Sequence, residues 1–140
     1  MALFDVTAAE EHDRLRSLYY PGTNIILICF SVDNPASLVN VTKKWISEVR
    51  VHCDQCPVIL VACKIDLRTD SQKIAELKTQ GETLVTNEIG RRIARKIKAD
   101  AYMECSTKTR QGVQDLLNQA ARLSIKKRSR RSVKCQCILQ

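Results

Sequence analysis

A chain of 140 residues can bury one core, and nothing in its composition demands disulfide or metal staples. Of its 23 basic residues, Lys126, Lys127, Arg128, Arg130, Arg131 and Lys134 crowd into an acid-free C-terminal stretch, while the others nearly balance 15 acids, so the net charge of +8 is a tail property. The folded part then has no basic stripe and the tail has no aromatic residue for stacking, which argues against nucleic acid as a partner.

In chain order, Ala2-Leu3-Phe4 reads as the end of a strand, and Ile25-Ile26-Leu27-Ile28-Cys29-Phe30 is a continuous apolar run suited to a strand covered on both faces. No apolar run in the chain is longer than that one, and it is too short to cross a bilayer, so any membrane contact is expected through an attached group. Asn34 then offers an N-cap with Pro35 at the first helical position, and Leu38, Val41, Trp45 and Val49 follow at helical spacing. Val58-Ile59-Leu60-Val61-Ala62 repeats the buried-strand signature. Lys73 to Gln80 predicts a short helix ended by Gly81, and Thr86 caps a stripe of Ile89, Ile93 and Ile97. Ala101-Tyr102-Met103-Glu104-Cys105 is a weaker strand, and Val113, Leu116, Leu117, Ala120 and Leu123 form a last helical stripe ending near Ser124. Strand and helix alternate, which predicts an α/β domain with a mainly parallel sheet flanked by helices over residues 1–124, and a polybasic tail over 125–140.

Seven cysteines at irregular spacing are an odd set and suggest a reducing compartment, with Cys29, Cys63 and Cys105 in or beside apolar runs. Cys53 and Cys56 form a lone C-x-x-C at the end of a helix, without the second ligand pair that zinc requires.

Ligands in open α/β sheets sit beyond the carboxyl ends of the strands. Cys63-Lys64-Ile65-Asp66 follows the second apolar run and Cys105-Ser106-Thr107-Lys108 follows the third. Together with Asp13-Arg14-Leu15-Arg16, Tyr20-Pro21, Trp45, Asp66-Leu67-Arg68 and an extra helical segment near 70–85, these motifs resemble the Rho family of small GTPases, within the Ras superfamily, from about residue 2 to the end. The resemblance implies a Ras-like P-loop NTPase fold that binds GTP or GDP with magnesium, and partners among the effectors and regulators of Rho-type GTPases. Asp66 would read guanine by accepting from its N1–H and amine together, a charge-assisted pair that adenine leaves unsatisfied. Lys64 would lie along the base and ribose, Ser106 and Lys108 would complete the loop, and the Thr107 amide would meet the guanine oxygen. The alternative is that Lys64 and Asp66 form only a solvated loop pair.

The phosphate end departs from the family pattern. A P-loop needs Gly-x-x-x-x-Gly-Lys-Ser/Thr, and none of the four glycines here has that setting. By resemblance the chain lacks the opening strands, the P-loop and the first switch. It begins at Phe4-Asp5-Val6-Thr7-Ala8-Ala9-Glu10, where Asp5 matches a magnesium-associated aspartate and Ala9 stands at the glutamine that orients water. A methyl group cannot orient water, and Glu10 in a shifted alignment would repel hydroxide, so hydrolysis is expected to be defective. No replacement base is evident around His12 or His52. The missing opening also predicts that the Ile25 run presents an unpaired apolar edge, open to aggregation or to another chain.

Cys137-Ile138-Leu139-Gln140 has the C-a-a-X form, with terminal Gln favouring farnesyl and Cys135 as a second lipid candidate. A prenyltransferase and an anionic membrane are the partners this implies, since one lipid anchors marginally and the six basic residues add roughly 1 kcal/mol each. The expected location is the cytoplasmic face of the plasma membrane or an endomembrane. Two readings remain: a GTP-binding switch in membrane signalling, and a lipid-anchored module that binds partners through Asp13, Arg14, Leu15, Arg16 and Tyr20 without a nucleotide cycle.

Overall fold

The computed structural model describes residues 2–6, 13–126 and 134–138. Five parallel strands, β1 (Leu3–Val6), β2 (Thr23–Ser31), β3 (Val58–Cys63), β4 (Ala101–Glu104) and β5 (Lys134–Ile138), form one sheet in the order β1-β5-β2-β3-β4. Among the described residues six α-helices flank it: α1 (Asp13–Ser17), α2 (Pro35–Asn40), α3 (Ile46–Cys53), α4 (Ser71–Thr79), α5 (Asn87–Lys96) and α6 (Val113–Lys126). This is the expected α/β architecture.

The continuous apolar runs are strands because each faces two cores. On one side Ile26, Ile28, Phe30, Val58 and Leu60 pack with Leu38, Val41, Trp45 and Val49 of the α2–α3 segment and Ala94 of α5; on the other, Ile25, Leu27, Ile59 and Val61 meet Leu116 and Ala120 of α6. The predicted 38-41-45-49 stripe is fully inside, but its helix is not uniform, since Val41–Trp45 forms a π-helical turn between α2 and α3. The Asn34 side chain accepts from the Ser37 amide at 3.1 Å, so the cap and Pro35 start α2 as expected. Helix α4 starts at Ser71, before the predicted Lys73, because Asp70 caps the Gln72 and Lys73 amides. Gly81 follows it with φ 71°.

Two expectations fail at the C-terminal segment. The edge of the Ile25 run is not unpaired: β5 lies between β1 and β2, parallel to both. Residues 134–138, expected in a polybasic tail outside the folded domain, are a strand, and α6 runs two residues beyond Ser124 to Lys126. The polar–apolar alternation of Lys134-Cys135-Gln136-Cys137 is too short to be a firm local strand signal beside a basic run, and pairing on both sides makes the segment a strand. A third difference is the disulfide between Cys53 and Cys56. The turn that closes α3 brings their Cα atoms to 5.4 Å, inside the range a disulfide spans.

Candidate nucleotide-base site

Because β3 and β4 are parallel neighbours, the loops leaving their carboxyl ends lie side by side. The Ile65 amide donates to the Cys105 carbonyl at 3.3 Å, tying Cys63-Lys64-Ile65-Asp66 to Cys105-Ser106-Thr107-Lys108. The buried Ser106 hydroxyl donates to the Asp66 carboxylate and accepts from the Thr109 amide at 3.2 Å. Asp66 thus keeps further acceptor capacity on a carboxylate whose position is already set. Thr107 and Lys108 are exposed at the turn. Gly112, at φ 71°, returns the loop to α6, and any β-carbon there would stand 2.2 Å from the Glu104 carbonyl oxygen.

Lys64 has φ 60° and ψ 37°, the left-handed region that disfavours side chains with a β-carbon. Its ammonium, largely exposed, lies 3.5 Å from Asp33, a residue sequence reasoning missed. Asp33 follows β2 and also takes Lys73 of α4 at 4.0 Å. Burial works against its charge, but the Ser31 hydroxyl and Lys64 outweigh this and hold its carboxyl below the usual range. Its place just past a strand's carboxyl end was the available signal.

Arg68 locks the same loop to β4. Its guanidinium meets both Glu104 oxygens at 2.8 Å and the Val85 carbonyl at 3.0 Å, while Tyr102 donates to Glu104 at 2.6 Å. Burial alone would raise the Glu104 pKa, but Arg68 and Tyr102 bring it down to about 2. Cys63, at the end of β3, is half-buried with its thiol pKa lowered to about 4, through hydrogen bonds from Cys105 and Cys29 and then the charge of Lys64.

The predicted partner surface divides. Arg16 and Tyr20 are buried at 1% exposure, a correction: Arg16 bonds Glu48 at 2.6 and 2.9 Å and stacks over Trp45, and Tyr20 donates to Glu48 at 2.8 Å. Arg14 and Leu15 remain exposed, joined by Leu18 and Tyr19, whose ring lies 6.2 Å from Phe4. Helix α1 begins at Asp13. Asp5 is exposed on β1, and among the described residues no group of ligating side chains is arranged to hold a metal ion. Thr7, Ala8, Ala9, Glu10, His12, Lys127, Arg128, Arg130 and Arg131 lie outside the described residues, while Lys126, Lys134, Cys135 and Cys137 are placed by backbone in α6 and β5. No helix among the described residues is long and apolar enough to cross a membrane.

Residues 1–126 match the Ras family. The chain is similar to GTP-binding protein RHO1 of Candida albicans, 45% identical over 99% of this chain and 70% of that protein. The chain belongs to the Ras family, in its Rho branch. This Rho-type protein is also 46% identical to GTP-binding protein rho5 of Schizosaccharomyces pombe over 99% of its length and 72% of the relative. To Rho-related GTP-binding protein RhoB of Homo sapiens it is 45% identical over 91% of its length and 65% of the relative, so it spans about two thirds of the proteins it matches. The extra helix over 70–85, expected from the Rho resemblance, is α4.

Proposed function

We propose that this Rho-type protein binds guanine nucleotides in membrane-associated signalling and hydrolyses them poorly. The observation that carries the reading is the joined pair of loops, in which Ser106 orients Asp66 and the Ile65–Cys105 bond fixes their spacing. The groups fit guanine: a preset carboxylate to accept from N1–H and the amine, the Lys64 stem alongside the base, and the exposed Thr107 turn to donate its amide to the exocyclic carbonyl oxygen. Among the described residues they do not make a magnesium site. Ala9 in place of a water-orienting glutamine supports slow hydrolysis.

Membrane attachment through farnesylated Cys137, with Cys135 as a further lipid site and the basic residues on an anionic leaflet, completes the reading. It brings in a prenyltransferase and the cytoplasmic face of the plasma membrane or an endomembrane. A second reading, a nucleotide-independent interaction module, is favoured by the exposed Leu15, Leu18, Tyr19 and Phe4 patch. Titration with a fluorescent guanine nucleotide, with and without magnesium, separates the two. Guanine-selective binding that Asp66→Ala abolishes supports the first; a folded chain that binds no nucleotide leaves the interaction module.

A further inference from the structure

We infer that the slot between β1 and β2 is a strand-accepting site occupied by residues 134–138 of the same chain, and that this occupancy withholds Cys137 from lipid attachment. The second half rests on the lipid reading of Cys137 given above; the first does not.

The register is unbroken against β1, and against β2 it is unbroken from Ile25 onward, after a shift between Thr23 and Ile25. Leu3, Phe4, Asp5 and Val6 pair with Cys135, Gln136, Cys137 and Ile138, and Ile25 to Ile28 pair with the same four residues from the other side. Strand β1 pairs with β5 and with no other described strand, so β5 alone joins it to the sheet. Ile25, Ile26 and Ile28 have no exposed surface at this position, the burial expected of a central strand rather than an edge. Helix α6 packs on β2, one strand away from the slot, and residues 127–133 lead from it to β5.

Lipid transfer needs this same backbone elsewhere. The Cys137 thiol must lose its proton, form an S–C bond to the allylic carbon of an isoprenoid diphosphate, and release pyrophosphate as the C–O bond breaks. The transferring enzyme holds the substrate's C-terminal segment in its own groove. Residue 137, however, sits in register with Asp5 on one side and Leu27 on the other. The segment cannot complete the sheet and lie in a transferase groove at once. Modification therefore proceeds through the fraction of molecules in which β5 has left the slot, and a segment free one tenth of the time is modified about tenfold more slowly.

Hydrogen exchange on the full 140-residue protein, read by mass spectrometry, tests the strand directly. Protection of the 134–138 amides comparable to that of Ile25–Ile28 is expected; exchange at the rate of an unstructured peptide overturns the inference. Farnesylation with a farnesyltransferase and farnesyl diphosphate tests the exclusion. The intact protein should react at least about tenfold more slowly than a peptide of residues 133–140, and Gln136→Pro, which removes a ladder donor from a central strand, should restore the rate in the protein without changing it in the peptide. Equal rates for native protein and peptide overturn the exclusion. A peptide that is not modified at all sinks the lipid reading and the exclusion with it, while the exchange pattern still decides the strand.

Discussion

Arg16 and Asp66 show how differently a charged residue is used once its neighbours are known. Arg16 looked like part of a recognition surface, yet it is buried against Trp45 and held by both oxygens of Glu48, 32 residues away in sequence. Glu48→Ala takes two charge-assisted bonds from a buried guanidinium, so it should destabilise by about 3 kcal/mol in urea unfolding, whereas a loss below about 1 kcal/mol would mean that these bonds count for little in solution. The place of Asp66 just past an apolar strand was legible, and its proposed guanine role came from the family resemblance; its orienting bond from Ser106 was not legible, since it joins residues 40 apart. Glu104 makes a pH-dependent contribution of defined sign. Its pKa falls from the ordinary 4.5 to about 2 on folding, so its stabilisation is complete above 4.5 and is lost as pH drops through about 2. Glu104→Gln should flatten the stability profile in that window, and a profile unchanged from the native protein would show that the Arg68 pair does not form in solution.

At the scale of elements, the helices and strands that carry strong local signals are the ones the sequence predicts. Asn34-Pro35 starts α2, Thr86 caps α5 through the Ile89 amide at 3.3 Å, and the unbroken apolar runs are central strands. Helix α1 and the 3-10 turn over Ile65–Thr69 escaped notice because each spans only five residues, too few to show a period. Glycines acquire their meaning from contact. Gly90 lies inside α5 where a β-carbon would stand 2.1 Å from the Tyr102 hydroxyl, and Gly112 combines a left-handed φ with a backbone oxygen at 2.2 Å. The Gly112 neighbour is main chain and cannot swing away, so Gly112→Ala should cost about 2 kcal/mol and shift the 106–111 loop, lowering guanine-nucleotide affinity together with stability. Full stability in thermal unfolding would contradict this account of the turn.

For the whole molecule, the uneven charge matters more than its total. The folded part is nearly neutral and the basic residues cluster from 126 to 134, so salt-dependent attraction to an anionic surface belongs to one end of the chain. On the proposed lipid anchoring, Cys137→Ser should move the protein from the membrane pellet to the soluble fraction; continued sedimentation with membranes would leave another anchor to be found. The sequence alone determined the α/β class, the alternation of elements, a helix within 70–85 and the two loops on which the proposed base site rests, because these follow from apolar period, capping residues and motifs within short windows. Only the tertiary structure decided that Arg16 and Tyr20 are interior, that Asp33 joins the site, and that residues 134–138 complete the sheet between β1 and β2. These outcomes depend on partners distant in sequence, and a strand's edge is satisfied by whichever segment can reach it in register, a condition that no local pattern encodes.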